Sequence, residues 1–112
     1  MSLSSEQAAF LIDACKLIPY ATEKGWTVTG GELFRTAEQQ EIYFKQGKTK
    51  TKMSNHMRRL AIDLNFLKDC RPIWEKAQLA DLGKYWESLH PANRWGGNFK
   101  SLPDVPHFER NV

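Results

Sequence analysis

The sequence has no apolar segment long enough to span a membrane. Its longest one, residues 8–20, is interrupted by Asp13, Lys16 and Pro19, whereas a span needs about 20 predominantly apolar residues. The same segment lacks the form of a secretory signal peptide. We therefore expect a protein that is made in the cytoplasm and does not insert into the membrane. A substrate outside the cell would be reached only after another factor opens the way.

Cysteine is scarce, since Cys15 and Cys70 are the only two in the chain. Neither belongs to a Cys-x2-Cys pair, which argues against a zinc site built from thiolates. The two could form one disulfide, but without a secretory signal we expect free, buried thiols. Cys15 lies on the apolar stripe of the first predicted helix and is expected in the core.

Repeats, linkers and low-complexity tracts are also absent, so the 112 residues should form one domain spanning residues 1–112. The apolar fraction of 41%, with four tryptophans and six phenylalanines, predicts a packed globule and excludes a disordered chain.

The net charge of +3 favours anionic surroundings, such as a cell wall or a nucleic acid, without deciding between them. Part of it lies in one basic stretch that no nucleic-acid motif or pair of stacking aromatics accompanies. We expect this stretch to be a solvated loop or a contact with the anionic cell envelope, and we expect no nucleic-acid partner. Its cations are Lys45, Lys48, Lys50, Lys52, Arg58 and Arg59.

Three helices are predicted from local signals. Residues 4–24 begin with a capping box that has Ser4 as N-cap, and residues 36–46 begin with a second one, Thr36 followed by Gln39. Apolar periodicity marks a third helix around residues 82–89. The stripe predicted to be buried on the first helix is Ala8, Leu11, Ile12, Cys15 and Ile18.

Strands are predicted at residues 26–29 and 60–66, with closing strands at 95–97 and 105–109. The period of two in residues 60–66 turns the leucines and the isoleucine into the core and Asp63 to the opposite face. The order of elements predicts an α+β fold in which helices flank a small antiparallel sheet.

His56, Asp63 and His107 are the strongest candidates for chemistry. Two imidazoles and one carboxylate form a three-ligand zinc set that leaves a fourth position open, as in catalytic rather than structural sites. Bound zinc makes hydroxide available near neutral pH. Each residue alone also fits a surface or hydrogen-bonded role, but their order along the chain, with Asp63 facing away from the core, favours the metal site.

Two acids flank the last candidate ligand. Asp104 precedes His107 by three residues and is the best candidate for a general base, which takes a proton from water and returns it to a leaving amine. Strand alternation puts Glu109 on the same face as His107 and turns Phe108 into the core. Glu109 could therefore orient the imidazole of a ligand.

At these residues the chain resembles the M15 zinc peptidases, which include phage L-alanyl-D-glutamate endolysins and D-alanyl-D-alanine dipeptidases and carboxypeptidases. The signature of the family is Ser-x-His-x6-Asp, with small or apolar residues before the aspartate, followed by Glu or Asp-x2-His. The resemblance spans residues 25–109 and implies a hedgehog or DD-peptidase-like fold with one zinc ion per chain. The residues that match are Ser54, His56, Ala61, Asp63, Asp104 and His107.

The resemblance also implies roles for residues outside the metal set. Arg35, in an Arg-Thr turn that leads into a helix, would stabilise the oxygen that becomes negative in the tetrahedral intermediate. Ser54 would support the site or the substrate, and Gln39 is a further candidate for the same role. Many members have glycine three residues after the first histidine, where this chain has Arg59. This departure leaves open the path of the loop between His56 and Asp63, and with it the choice of substrate.

By resemblance, the protein would be a monomeric phage or prophage endolysin that cuts peptidoglycan between L-Ala and D-Glu once a holin has opened the membrane. Asp104, in place of a glutamate, is more similar to the endolysin branch. Two alternatives remain: a D-alanyl-D-alanine dipeptidase or carboxypeptidase with the same metal chemistry, and a non-catalytic binding module that contains zinc. The module would need neither Asp104 nor Arg35.

Overall fold

A computed structural model describes residues 2–112. These residues form three α-helices and a five-stranded sheet, with 3-10 helices at Asn55–Arg58 and Gly96–Asn98. The main elements in chain order are α1 (Leu3–Glu23), β1 (Thr27–Gly30), α2 (Ala37–Lys45), β2 (Ala61–Lys68), β3 (Arg71–Pro72), α3 (Lys76–Ser88), β4 (Asn93–Trp95) and β5 (His107–Arg110).

The sheet is antiparallel throughout the described residues. Its main path runs β1-β2-β5-β4, and β3 pairs with β2 through a short hairpin. Helices α1 and α3 contact each other, and they also contact β1 and β4 respectively. The predicted α+β class, a small antiparallel sheet flanked by helices, is confirmed.

Strand β2 separates the core from the opposite face of the sheet. Leu64 and Phe66 are buried in the core, while Asp63 stands directly opposite His107 of β5. Next to this pair, Ile62 is opposite Phe108, which is buried completely. Successive side chains of a strand point to opposite faces, so the prediction that Asp63 faces away from the core is confirmed.

Aromatic rings in edge-to-face contact hold the helices against the sheet. The ring centroids of Phe10 and Trp86 are 5.5 Å apart, those of Trp86 and Phe108 are 5.9 Å apart, and those of Phe66 and Phe108 are 5.8 Å apart. The Trp86 indole N–H also donates to the backbone carbonyl of Glu109 at 3.1 Å. These contacts fix β5, and with it the face that carries His107.

Helix α1 buries a different face from the one predicted. Its core residues are Phe10, Asp13, Ala14, Leu17 and Ala21. The predicted stripe lies outside, with Leu11 51% and Ile12 59% exposed. Because α1 carries apolar residues on two faces, periodicity could not decide between them. No helix within residues 2–112 combines the length and the apolar character that crossing a bilayer requires.

The buried face of α1 contains a charge that the sheet neutralises. The guanidinium of Arg110, on β5, donates to the carboxylate of Asp13 at 2.6 Å and to the side-chain carbonyl of Asn93 at 3.1 Å. Asp13 and Arg110 are 6% and 3% exposed. The buried face of α1 is thus the one whose carboxylate finds a cation on the sheet, although the other face also carries apolar residues.

The helix starts agree with the predictions in one case and differ in the other. Helix α1 is capped by Ser2, whose side chain accepts from the backbone N–H of Ser5, and not by Ser4. Helix α2 is capped as predicted by Thr36, whose hydroxyl accepts from the backbone N–H of Gln39 at 3.1 Å.

The two cysteines are free thiols, but both are exposed, so the prediction of buried thiols is wrong. Cys15 lies on the outer face of α1. Cys70 lies in the turn between β2 and β3, where it and Asp69 have φ values of 62° and 51°. Two consecutive left-handed residues form the tight turn that suits an antiparallel hairpin, and this turn projects Cys70 into solvent.

Candidate metal centre

Three elements bring His56, Asp63 and His107 together. His56 lies in the 3-10 helix Asn55–Arg58, where the hydroxyl of Ser54 accepts a hydrogen bond from the His56 backbone N–H at 3.1 Å. Asp63 and His107 are direct partners on β2 and β5. The helix cap and the strand register therefore place all three side chains at one point on the open face of the sheet.

Their donor atoms converge closely. His56 Nε2 is 3.2 Å from His107 Nδ1 and 3.3 Å from Asp63 Oδ1. His107 Nδ1 is 3.5 Å from the same oxygen. A tetrahedral zinc ion with bonds of about 2.0–2.1 Å separates its donor atoms by roughly 3.3–3.4 Å. The three donors therefore already have the spacing that such an ion requires.

The remaining nitrogen of each imidazole is occupied, which directs the other nitrogen to the centre. His56 Nδ1 lies 2.9 Å from the backbone carbonyl oxygen of Leu33, and His107 Nε2 lies 2.7 Å from Oε1 of Glu109. Both partners are acceptors, so each of these nitrogens donates. His56 Nε2 and His107 Nδ1 then face the centre, where a proton or a cation can occupy their lone pairs.

A buried oxygen at the centre also lacks a partner. Asp63 Oδ1 is shielded from solvent and has no hydrogen-bond partner among residues 2–112. Leaving a buried carboxylate oxygen unsatisfied is costly, whereas coordination of a cation would satisfy it. Donor types, spacing and this oxygen all fit a zinc ion. Within residues 2–112, His56, Asp63 and His107 are the group of side chains close enough together to coordinate one metal ion.

In the metal-free protein, the carboxylates and imidazoles of the centre stabilise each other's charged forms. Burial acts to raise the pKa of Asp63, but the adjacent His107 and His56 outweigh it and lower this pKa to about 2. Burial acts to lower the pKa of His107, but Asp63 and Glu109 outweigh it and raise this pKa to about 9. A proton therefore occupies the site near neutral pH and competes with a metal ion for it.

Asp104 borders the donor set without joining it. Its Oδ2 is 4.0 Å from His107 Nδ1, and its side chain is 50% exposed to the cleft. Burial raises the pKa of Asp104; the charge of His107 opposes this increase, and the charge of Asp63 adds to it. A carboxylate with a raised pKa at this position is suited to accept a proton and to give it back.

The loop that carries Asp104 is held by close backbone packing against Gly96. The backbone N–H of Asp104 donates to the carbonyl of Gly96 at 2.8 Å. A Cβ on Gly96 would collide with the Asp104 carbonyl and with the side chain of His107. The Trp95 indole N–H anchors the same loop on the carbonyl of Val105 at 2.8 Å. Only glycine at position 96 allows this approach.

Arg35 lies on the cleft wall in a fixed orientation. Its Nε donates to Oε1 of Glu32 at 2.6 Å, and a second guanidinium nitrogen forms an ion pair with the same oxygen. A third donates to the side-chain carbonyl of Gln40 at 2.9 Å. The guanidinium carbon lies 4.8 Å from the ring centroid of Tyr43. The side chain is 12% exposed, so it reaches the cleft through a small surface.

Gln40, and not Gln39, supports this wall. Gln40 is fully buried, and its amide nitrogen donates to the backbone carbonyl of Thr51 at 2.7 Å. It therefore joins Arg35 to the loop that precedes His56. Gln39 is half-buried and does not line the cleft. The sequence contained a usable signal, because Gln40 follows the cap Thr36 by one helical turn and so returns to the same side of α2.

The cleft above the centre has a volume of about 1140 Å³. Two loops form its walls, residues 48–55 on one side and 99–104 on the other. Of the acidic residues that line the cleft, Glu32 and Glu109 form ion pairs with arginines and Asp63 belongs to the centre, whereas Asp104 forms no ion pair with an arginine in the described part of the chain. The cations that line it are Arg35, Lys48, Lys50, Arg58, Arg94 and Lys100.

Arg59 does not prevent the ligands from converging. It has a φ of 55° and a ψ of 38°, the left-handed conformation that glycine adopts at lowest cost. Its guanidinium carbon lies 4.3 Å from the ring centroid of Phe34. The chain thus makes the turn that a glycine would make, and the loop still delivers His56 and Asp63 to one site.

The supporting residues Leu33, Glu32, Gln40 and Arg94 escaped the sequence analysis. Leu33 acts through its backbone carbonyl, which no residue type encodes. Glu32 pairs with Arg35 only three residues away, but in an irregular segment where spacing predicts no contact, whereas Gln40 and Arg94 contact residues outside their own helix or strand.

Comparison with known proteins adds two findings. A family model described as D-alanyl-D-alanine carboxypeptidase, of the M15 peptidases, matches residues 47–110. The crystal structure of the Serratia marcescens L-Ala D-Glu endopeptidase ChiX superimposes with a TM-score of 0.65 at 23% identity, covering 77% of this chain and 68% of that one. No curated protein sequence matches significantly. At this identity, the structural likeness shows a shared fold.

Proposed function

This chain belongs to the M15 family of peptidases, and on that basis we propose that it is a zinc-dependent peptidase that hydrolyses the L-alanyl-D-glutamate bond of peptidoglycan stem peptides. The observation that carries the proposal is the convergence of three metal-type donors beside a free carboxylate in an open cleft. The solved protein of the same fold is itself an L-Ala D-Glu endopeptidase.

In this proposal zinc would be held by His56 Nε2, Asp63 Oδ1 and His107 Nδ1. When bound, zinc would polarise the scissile carbonyl and lower the pKa of water to near neutrality. Ser54 and Glu109 would orient the two histidines, one through the backbone of His56 and the other through the imidazole of His107.

Asp104 is proposed as the general base and acid. Its carboxylate would take a proton from the attacking water and give it to the amine of D-glutamate as the C–N bond breaks. Its position within 4.0 Å of His107, outside the donor set, supports this role because the group stays free to carry a proton. Its raised pKa brings proton return closer to neutral pH.

Arg35 is proposed to stabilise the negative charge that develops on the carbonyl oxygen. Contacts with Glu32, Gln40 and Tyr43 hold its guanidinium in place before substrate arrives. Such preorganised charge favours the transition state because no reorganisation is needed when the oxygen becomes negative. Lys48, which lies over the same Tyr43 ring as Arg35, and Lys50 also line the cleft, and their charges suit a substrate that carries carboxylates.

Purified protein incubated with peptidoglycan tests the proposal. New termini identified by mass spectrometry should be free L-alanine carboxyl and D-glutamate amino groups. Asp104→Asn should lower the rate by about 10²- to 10⁴-fold while zinc stays bound. Asp69→Asn serves as the matched control, because it removes a carboxylate from an exposed turn. If Asp104→Asn cleaves at the normal rate, another group is the base.

The description of the matching family model favours a second candidate, D-alanyl-D-alanine dipeptidase or carboxypeptidase activity. The same residues would perform that reaction, and only the bound segment of the stem peptide would differ. Release of free D-alanine from muropeptides, with the L-Ala–D-Glu bond left intact, would establish this activity in place of the first.

The setting proposed for this activity is phage or prophage lysis, with the enzyme reaching the wall through a membrane opened by a holin. Support for it comes from the resemblance to phage endolysins. Cells that express the chain should remain intact until the membrane is permeabilised, and then lyse. Lysis without permeabilisation, or intact walls after it, would contradict this setting.

A further inference from the structure

Glu109 is clamped from two sides. Its Oε1 accepts from His107 Nε2 at 2.7 Å, and its Oε2 accepts from Arg94 Nε at 2.8 Å and from Arg94 Nη2 at 2.5 Å. Arg94 and Glu109 are also direct partners across β4 and β5. From this geometry we infer that Arg94 is a positioning residue that holds His107 as a metal ligand through Glu109. The inference rests on the metal site of the proposed function.

The carboxylate needs both partners to keep its orientation. Glu109 is 5% exposed, so water is a poor substitute for a lost partner. With Arg94 in place, each carboxylate oxygen has its own donor and the carboxylate plane is fixed. Without Arg94, a buried oxygen loses both its hydrogen bonds and the group is free to rotate. His107 would then lose the direction of its Nε2–H bond, and Nδ1 would leave its position facing the centre.

Arg94 also contacts Phe99, whose ring lies beside the imidazole of His107. Its guanidinium carbon lies 5.4 Å from the ring centroid of Phe99, and that ring lies 5.6 Å from the His107 ring centroid. Arg94 thus restrains His107 through a hydrogen-bond chain and through the neighbouring Phe99 ring. Lysine could keep the charge, but it would lose the two-pronged contact with Oε2.

Arg94 has a competing role to be separated from this one. Its side chain is 50% exposed and lines the cleft, so it could contact substrate directly. If Arg94 contacts substrate, replacing it would raise KM and leave the metal affinity unchanged. If Arg94 positions His107, replacing it would weaken metal binding whether or not substrate is present.

The experiment measures zinc affinity by chelator competition in five proteins: wild type, Arg94→Met, Arg94→Lys, Glu109→Gln and the double variant of Arg94→Met with Glu109→Gln. Loss of such outer partners weakens metal binding by about 10- to 100-fold, so we expect Arg94→Met to lose about 10-fold and Arg94→Lys less. In the Glu109→Gln background, Arg94→Met should change the affinity less than about 2-fold, because residues that act through one another are non-additive. Cobalt absorption spectra report any change in coordination geometry.

A second readout needs no metal. The Nε2–H proton of His107 should give a slowly exchanging downfield proton resonance by NMR, and Arg94→Met should accelerate its exchange with water. Arg71→Met is the matched control, because it removes an arginine from an exposed strand position outside the cleft. If the wild-type protein binds no zinc, the proposed function is wrong. The proton resonance would still test whether Arg94 holds His107 through Glu109.

Three outcomes would overturn the inference: unchanged zinc affinity and proton exchange in Arg94→Met, an equal loss of affinity in the Glu109→Gln background, or an effect confined to KM. The last would make Arg94 a substrate contact. Thermal unfolding curves of every variant separate these outcomes from loss of the fold.

Discussion

Zinc binding should release a proton from His107, and the affinity should therefore depend steeply on pH. In the protein by itself, burial acts against the charged form of His107, but Asp63 and Glu109 outweigh it and raise its pKa to about 9. A metal ion needs the Nδ1 lone pair, so this proton must leave first. Raising the pH therefore removes the proton that competes with the metal.

The magnitude follows from this value. At pH 7, two units below a pKa of about 9, the imidazole is almost fully protonated. The apparent affinity should then rise by about tenfold per pH unit just above pH 7, by roughly 50-fold up to pH 9 and by roughly 100-fold at the plateau above pH 9. Glu109→Gln removes one of the two carboxylates that raise this pKa, so its curve should level off at a lower pH.

Isothermal titration calorimetry in buffers with different ionisation enthalpies counts the protons directly. His107 should contribute about one released proton per zinc bound at pH 7, and this contribution should fall towards zero as the pH approaches the plateau; ionisation of zinc-bound water would add to the total. Chelator competition at each pH gives the affinity. An affinity that is constant between pH 7 and pH 9, with no proton released at pH 7, would refute a protonated His107 at the centre.

The remaining predictions concern single side chains. His107→Ala should abolish stoichiometric zinc binding, measured by metal analysis, since two of three donors hold zinc poorly; full occupancy would remove His107 from the ligand set. Arg35→Ala should lower kcat by about 10²- to 10³-fold with a smaller effect on KM, and Arg35→Lys should recover only part of the loss; an unchanged kcat in a folded, zinc-loaded variant would leave Arg35 a structural residue. Asp13→Ala should destabilise the fold by about 3 kcal/mol in denaturant unfolding, because it removes the nearer carboxylate from the buried Arg110 and leaves only Glu6, at 3.4 Å, as its charged partner; a loss below 1 kcal/mol would show that the pair contributes little. In zinc-free protein, the raised pKa of His107 should stabilise the fold fully below the unfolded pKa of 6.5, and this stability should disappear as the pH rises through about 9. A melting temperature that does not fall from pH 6.5 to pH 9 would contradict this. The lowered pKa of Asp63 should stabilise the fold fully above pH 3.8, and that stability should disappear as the pH falls through about 2.

Sequence alone was sufficient where local rules act. The alternation in β2 predicted that Asp63 faces away from Leu64 and Phe66. The cap at Thr36 predicted the start of α2, because a threonine hydroxyl satisfies a backbone N–H only a few residues away. The same locality explains the pairing of Glu109 with His107, which stand two residues apart on one strand and so share a face.

Periodicity was insufficient where two answers satisfied it equally well. Helix α1 has two apolar faces, and the one that enters the core also contains Asp13, a residue that normally counts against burial. Burial of its charge is compensated by Arg110, at the other end of the chain, and by the side-chain amide of Asn93, both of which donate to the carboxylate. The misplacement of Cys15 follows from the same cause.

The amino-acid sequence determined the donor types of the centre, the strand faces and the family, because these depend on residue identity and short spacings. Only the tertiary structure decided the orientation of each donor. The carbonyl of Leu33 directs His56, and the pair of Arg94 with Glu109 restrains His107. Gln40 joins Arg35 to the loop before the first ligand. Such contacts join residues that are far apart in the chain or act through the backbone, and they exist only once β2, β4 and β5 have paired in register.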